Sequence, residues 1–187
     1  MTLAEARALP APGTEVNPKR RIGCLDEPGL ADHMVGLMKS DVAKEASVGV
    51  LTCTIVEPDP MNPSYWAPAL VRLDGADATL WLPFISLADG GQRLAQIAVY
   101  PNRKKDESKL LQGLTAKLGQ PKAGSRAFVA MMSGAAPEPV STWQSGAHVI
   151  DATKNSMTYY YDPALTKDLN ARLSKLPGRS FLYAVPQ

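Results

Sequence analysis

Leucine and methionine recur at helical spacing in three segments, and each segment carries residues that begin or end a helix. The first predicted helix spans about 29–46, and its apolar stripe consists of Leu30, Met34, Leu37, Met38 and Val42. The second is capped by Asp106 and ends at Gly119, which is followed by a proline. The third runs over 163–176, with Asp162 as its N-cap and a proline at its first position.

Between the helices the apolar residues lie in shorter runs that are typical of strands. These runs cover 47–56, 66–73, 79–85, 94–100, 127–132, 147–152, 157–161 and 180–185. The segment 74–77, Asp-Gly-Ala-Asp, is suited to a hairpin turn. Strands joined by short turns favour antiparallel pairing. The sequence therefore predicts an α+β fold, with two to three helices packed on one face of an antiparallel sheet. The element order further suggests two successive helix-plus-strands units, at about 28–100 and 106–161.

Length and composition indicate one ordinary globular domain. The chain has 187 residues, of which 45% are hydrophobic and 20% charged, and its formal net charge is +2. A chain of this length buries enough surface to fold without disulfides or bound metal ions. Residues 1–21 contain Pro10, Pro12, Gly13 and Pro18 and predict an extended arm without helical or strand periodicity. The remaining residues, 22–187, form the predicted α+β domain.

The sequence leaves the compartment open. No run of about 18 apolar residues predicts a transmembrane helix, and residues 1–21 lack the apolar stretch of a signal peptide. The protein is cytoplasmic if Met1 is the native start, and periplasmic if the chain was trimmed of an export signal. Cys24 and Cys53 form either one disulfide or two free thiols, and a buried free thiol is the commoner state in an apolar run such as 50–55.

No group of residues predicts catalysis, a metal or a cofactor. The two histidines, His33 and His148, are not accompanied by the paired short spacings of a zinc site. Ser133 is not surrounded by a nucleophile elbow, so the segment around it favours a turn. The pair Gly90-Gly91 belongs to neither a P-loop nor a dinucleotide-binding motif. An enzyme is therefore the least favoured class.

Cations and aromatic residues supply the candidate binding residues. Basic clusters occur at 19–21 and at Arg103, Lys104 and Lys105, and the nearby aromatic residues are Tyr65, Trp66, Trp81 and Tyr100. A basic groove beside aromatic rings can hold single-stranded nucleic acid. The acidic residues at 106–107 neutralise part of the second cluster, which also fits a solvated loop. Tyr160, in the triplet 159–161, predicts a contact surface at a sheet edge.

One resemblance adds a functional expectation. A strand at 93–97 precedes a leucine-striped helix that ends in Leu118-Gly119-Gln120-Pro121. A tryptophan-containing hairpin at 143–151 and the segment Tyr159-Tyr160-Tyr161-Asp162-Pro163 follow. This order of packing and turn signals, over about half the chain, resembles small exported α+β domains of bacteria. The resemblance implies a periplasmic or lipoprotein-like binding or inhibitory domain.

Two function classes follow from these observations. The first is a non-enzymatic protein-binding module, such as an inhibitor, immunity or accessory protein. It would bind another protein through a sheet edge and aromatic loops, especially 58–68. The alternative is a nucleic-acid-binding accessory protein that uses the clusters at 19–21 and 103–105. The oligomeric state remains open.

Overall fold

The chain folds as a mixed α+β structure built on a large antiparallel sheet. The computed structural model describes residues 1–27, 30, 39–126, 128–129, 138–153, 158–176 and 185–186. The helices are α1 (Leu3–Ala8), α2 (Lys39–Ser47), α3 (Lys104–Leu118) and α4 (Pro163–Leu173). The strands are β1 (Arg21–Cys24), β2 (Val50–Pro58), β3 (Trp66–Pro68), β4 (Val71–Leu73), β5 (Ala76–Ser86), β6 (Gln92–Leu94), β7 (Gln96–Pro101), β8 (Lys122–Arg126), β9 (Phe128–Val129), β10 (Glu138–Ser145), β11 (His148–Thr153), β12 (Thr158–Tyr161) and β13 (Val185–Pro186).

Two meanders form the main sheet. The strand order is β1-β2-β5-β7-β12-β11-β10-β8, with β3, β4 and β6 paired at the ends of β2 and β5. The meanders β1-β2-β5-β7 and β8-β10-β11-β12 join through β7 and β12, where Ile97 lies opposite Tyr160. Every pairing described in this sheet is antiparallel; short turns join pairs such as β10 and β11, whereas longer segments connect β1 to β2 and β7 to β12. The predicted α+β class and antiparallel sheet are confirmed.

Helices cover both faces of the sheet, so the prediction that they pack on one face is wrong. The first face carries Cys53 and Phe84 and packs against Leu110 of α3. The second face carries Val50 and packs against α4 through Leu169. The reason lies in the central strands, since residues 50–56 of β2 are buried without alternation. A strand that is apolar on both sides needs cover on both sides.

The N-terminal arm contains a helix, so the prediction of an extended arm is wrong. The hydroxyl of Thr2 accepts a hydrogen bond from the Glu5 N–H at 3.1 Å, and the Glu5 carboxylate accepts one from the Thr2 N–H at 2.7 Å. This reciprocal capping box begins α1, and Leu3 and Ala6 bury its inner side on the first face. The pattern Thr-x-x-Glu is the sequence signal of this capping box, and it can be recognised without any helical periodicity of apolar residues.

Of the predicted helix ends, the start of α4 and the end of α3 are correct, whereas the start of α3 is not, and α4 ends at Leu173 rather than at 176. The Asp162 carboxylate accepts hydrogen bonds from the Ala164 and Leu165 N–H groups at 2.8 and 3.1 Å, and so caps α4. Gly119 ends α3 with φ 82°, and α4 begins at the predicted proline. The cap of α3 was wrongly placed, because Arg103 holds that position and Asp106 is buried within the first turn.

The hairpin turn at 74–75 has the predicted position and docks on α3. Asp74 and Gly75 adopt φ values of 49° and 77°, the left-handed pair that a tight hairpin requires. Lys117 forms an ion pair with the Asp74 carboxylate. A Cβ at Gly113 would lie 2.7 Å from the Cβ of Asp74, so only glycine allows the helix and the turn to approach this closely. The hairpin is thereby fixed against the first face.

Several predicted elements lie wholly or partly outside the described residues. They are most of the first helix, including His33, the strands at 127–132 and 180–185, and the turn around Ser133. The tryptophan-containing hairpin is described: β10 and β11 pair, and Trp143 lies opposite Ile150. The Trp143 indole N–H donates to the Gly119 carbonyl at 2.9 Å. This bond ties the end of α3 to the second meander.

Candidate functional site

A disulfide closes the edge of the sheet between β1 and β2. Cys24 and Cys53 lie directly opposite each other, and their sulfur atoms are 2.08 Å apart. Both residues are fully buried on the first face. The sequence left the choice between a disulfide and free thiols open, and the structure contains the disulfide. The bond fixes β1, the strand that carries Arg21, to the rest of the sheet.

Arg21 lies between an aromatic ring and a carboxylate. Its guanidinium carbon is 4.6 Å from the centre of the Trp66 ring, a cation–π contact. Its Nη1 forms an ion pair with Glu27 at 2.7 Å. Arg20 is also paired, since its Nε lies 2.7 Å from the Glu57 carboxylate. Two of the three cations in the predicted cluster at 19–21 therefore bind carboxylates within the fold.

Glu27 joins α1, β1 and the turn after β1. One carboxylate oxygen accepts hydrogen bonds from Arg7 at 2.9 Å and from the Cys24 N–H at 3.0 Å, and the other accepts from Arg21. Burial alone would raise the pKa of Glu27. The Cys24 N–H and the Arg21 guanidinium outweigh burial, so the pKa of Glu27 lies below its usual value.

Glu27→Gln is expected to destabilise the protein at neutral pH by about 1–2 kcal/mol, because charge-assisted hydrogen bonds are lost. A lowered folded-state pKa means that the carboxylate stabilises the fold above its unfolded pKa and loses this effect as pH falls through the folded value. Urea unfolding measured from neutral to acidic pH should therefore show the variant and the parent converging in acid. A difference that stays constant with pH would contradict this role for the Glu27 charge.

A short loop presents an exposed methionine next to this cluster. We call residues 59–65 the corner loop. The Asp59 carboxylate accepts hydrogen bonds from the N–H groups of Met61 and Asn62 at 2.7 and 3.1 Å. The Asp59 N–H donates to the Tyr65 carbonyl at 2.8 Å and closes the loop at its base. Met61 is 95% exposed at its tip, and Tyr65 is 43% exposed.

The predicted aromatic and basic residues do not all lie at one site. Trp66 and Trp81 pack in one cluster on the second face, and both are half-buried. Tyr100 is also half-buried and packs in the cluster beneath α4. Arg103, Lys104 and Lys105 are exposed, and none forms an ion pair with another residue in the described ranges. Tyr65 lies in the corner loop, where Trp66 follows it.

Tyr160 does not lie at a sheet edge, so that prediction is wrong. Its strand, β12, is held between β7 and β11 in the middle of the sheet. Tyr159 and Tyr161 are buried on the second face, whereas Tyr160 is half-buried on the first. Burial, together with the negative charge of Asp74, raises the pKa of Tyr160 to about 12. The phenol therefore stays neutral at physiological pH.

A cavity of about 420 Å³ lies where the central strands end. We call it the end cavity. It is lined by the side chains or backbone of Met1, Arg93, Leu94, Ala95, Gln96, Ile97, Ser145, His148, Ile150, Tyr160, Tyr161, Asp162 and Leu165. Apart from Tyr160, sequence reasoning did not assign these residues to a site. They come from separate segments that only the sheet register brings together, so no local signal was available.

No metal-binding cluster or membrane-spanning helix adds a further candidate in the part of the chain that is described. There, no three His, Cys, Asp or Glu side chains lie close enough to hold a metal ion. None of the described helices is both long and apolar enough to span a membrane. Comparison with protein-family models, curated proteins and solved structures finds no match to this chain. The resemblance to small exported bacterial domains therefore stays a prediction.

Proposed function

We propose that the protein is a protein-binding module that contacts its partner through the corner loop. The observation that carries this proposal is the 95% exposure of Met61 on a loop whose backbone is held by its own hydrogen bonds. A partner that buries this apolar side chain would gain free energy by removing it from water.

The hydrogen bonds of the corner loop favour binding because they reduce the cost of ordering it. Asp59 binds the backbone at Met61, near the start of the loop, and at Tyr65, at its end. Little conformational freedom therefore remains to be lost on association. The thioether of Met61 is flexible and polarisable, and it adapts to an apolar pocket. Tyr65 follows at the base of the loop, and tyrosine is enriched at protein interfaces.

A second exposed apolar residue lies at the same corner of the sheet. Val16 is 78% exposed, and its neighbour Asn17 donates to the Glu57 carboxylate at 3.1 Å. Glu57 lies on β2, directly opposite Ala67 of β3, the strand that follows the corner loop. The arm therefore contacts the end of β2, after which the corner loop begins. We define the corner surface as Val16, Met61 and Tyr65, and propose that its partner is a protein with an apolar pocket for Met61.

A capture experiment with paired variants tests this proposal. Tagged parent, Met61→Ser and Leu118→Ser proteins are incubated with extract of the source organism, with and without nuclease, and bound proteins are identified by mass spectrometry. Leu118 is a matched control because it is an exposed apolar residue on α3. We expect the parent and Leu118→Ser to retain one stoichiometric protein after nuclease treatment. Met61→Ser should weaken its binding by about 30-fold, the effect of losing an interface hot spot.

Two results would contradict the corner surface as the binding site. The first is equal retention of the partner by Met61→Ser and the parent. The second is equal loss of the partner by Met61→Ser and Leu118→Ser, which would show a general effect of removing apolar surface. Circular dichroism of all three proteins confirms that each variant is folded before the comparison is made.

One observation favours the nucleic-acid alternative. Arg103, Lys104 and Lys105 are exposed and lack ion pairs with other described residues, so their charges are available to phosphates. Under this alternative, nuclease would remove every captured partner. Affinity for single-stranded DNA would fall steeply with salt, and changing all three residues to alanine would flatten that dependence. Binding that does not change with salt would exclude it.

A further inference from the structure

The floor of the end cavity is an apolar row that crosses three strands. Ile97, Tyr160 and Ile150 lie opposite one another on β7, β12 and β11, all on the first face. Neighbouring strands are about 4.8 Å apart, so the row is about 10 Å long. Leu94 and Leu165 add further apolar surface to the lining. A floor of this length matches an extended chain of about eight carbons.

The rim of the end cavity carries positive charge and hydrogen-bond donors. The side chains of Arg93 and His148 are exposed, and neither forms a hydrogen bond or an ion pair with a described residue. Among the described residues of the lining, the only acidic one is Asp162, and its carboxylate already accepts two N–H groups at the start of α4. Glu5 lies close enough to Arg93 to interact with its charge, but the Glu5 carboxylate is already bound to the Thr2 N–H.

We propose that the end cavity binds a small carboxylate with an unbranched apolar chain. The carboxylate binds at Arg93 and His148, and the chain lies along the row Ile97, Tyr160 and Ile150. The volume of about 420 Å³ falls in the range of small-molecule sites, which combine apolar walls with a few polar groups. The neutral phenol of Tyr160 leaves the floor uncharged.

This ligand class follows because the positively charged rim and the apolar floor are separate parts of the end cavity. An uncharged apolar ligand would make no use of the charge of the exposed Arg93, and a compact anion such as phosphate would cover little of the apolar surface of the half-buried Ile97 and Tyr160. A cationic ligand would meet the guanidinium at the rim. A carboxylate on an apolar chain satisfies both parts at once.

Titration calorimetry with decanoate and decanol tests the proposal, at concentrations at which neither forms micelles. We expect decanoate to bind saturably with one molecule per chain, about tenfold or more tightly than decanol, because a charge-assisted hydrogen bond distinguishes them. From hexanoate to decanoate, each added methylene should strengthen binding about fourfold until the cavity is full.

Paired arginine variants locate the site. Arg93→Gln should weaken decanoate binding about tenfold and leave decanol binding unchanged, since only the carboxylate contact is lost. Arg103→Gln is the matched control, because Arg103 is an exposed cation outside the end cavity and should leave both affinities unchanged. Both substitutions replace exposed side chains, so both variants should fold, which circular dichroism checks.

Three outcomes would overturn the proposal: no saturable binding of decanoate, equal binding of decanoate and decanol, or equal effects of Arg93→Gln and Arg103→Gln. The last would indicate attraction of the anion to the whole positive surface. Met61→Ser should bind decanoate like the parent, because the corner loop does not line the end cavity. The end cavity and the corner surface are therefore tested separately.

Discussion

Replacing both cysteines with alanine is expected to lower the free energy of unfolding by roughly 3.5 kcal/mol. The disulfide joins residues 29 positions apart, and breaking it frees a loop of that length in the unfolded chain. Total stabilities are about 5–15 kcal/mol, so this loss is a large part of what holds the domain together. Urea unfolding of the parent and of Cys24→Ala/Cys53→Ala measures the difference.

The parent protein in the presence of a reducing agent is the matched control. It should lose a similar free energy, because the same loop is released without any substitution. The double variant is expected to show no further change under reducing conditions. A difference of less than about 1 kcal/mol between oxidised parent and double variant would contradict a stabilising role for the bond.

Asp151→Ala is expected to destabilise the protein by about 2–4 kcal/mol. The Asp151 carboxylate is fully buried on the second face. It accepts hydrogen bonds from the Thr142 hydroxyl at 2.5 Å and from the Tyr161 hydroxyl at 2.6 Å. Alanine would leave the buried Tyr161 donor without this acceptor, and the half-buried Thr142 donor with only partial access to water. Urea or thermal unfolding gives the difference.

Two further variants separate hydrogen bonding from packing at this position. Asp151→Asn keeps the size of the side chain and one acceptor oxygen, so it should cost less than alanine. Tyr161→Phe removes one hydrogen bond and should cost about 1 kcal/mol. If Asp151→Ala and Tyr161→Phe together cost as much as the sum of the two single variants, the hydroxyl and the carboxylate would be energetically independent, contrary to their 2.6 Å contact.

Reduction of the disulfide should also affect the corner surface. Cys24 follows Arg21 on β1, and Arg21 packs on the ring of Trp66 at the base of the corner loop. Loosening β1 would therefore release a support of the loop that carries Met61. The proposed binding site and the stability of the sheet edge are linked through one short strand.

Sequence reasoning predicted a loop in this part of the chain but not the contacts that support it. The segment 58–68 was predicted as an aromatic binding loop from its prolines and aromatic residues; the structure has a loop at 59–65, which includes Tyr65, whereas Trp66 begins β3. The exposure of Met61 was missed, because it depends on the hydrogen bonds that Asp59 makes within the loop. An isolated methionine between two prolines carries no such signal.

The basic cluster at 19–21 shows why counting charges along the chain overestimates the positive charge that is available for binding. Arg20 pairs with Glu57, which lies 37 residues away, and Arg21 pairs with Glu27 and stacks on Trp66. Glu57 and Trp66 reach these positions through the pairing of β1 with β2 and of β2 with β3, whereas Glu27 lies in the turn directly after β1. The charge of Arg20 is therefore neutralised by a residue distant in sequence, which only the register of the sheet reveals.

The sequence by itself determined the features that depend on neighbouring residues. Leucine spacing placed α3 and α4, Asp162 placed a helix start, and the residues at 74–75 placed a hairpin turn. Tertiary structure decided which faces the helices cover, that β12 lies inside the sheet, and which segments line the end cavity. The physical reason is that helix periodicity, caps and turns involve residues a few positions apart. Strand order and register instead depend on the joint burial of apolar surface from distant segments.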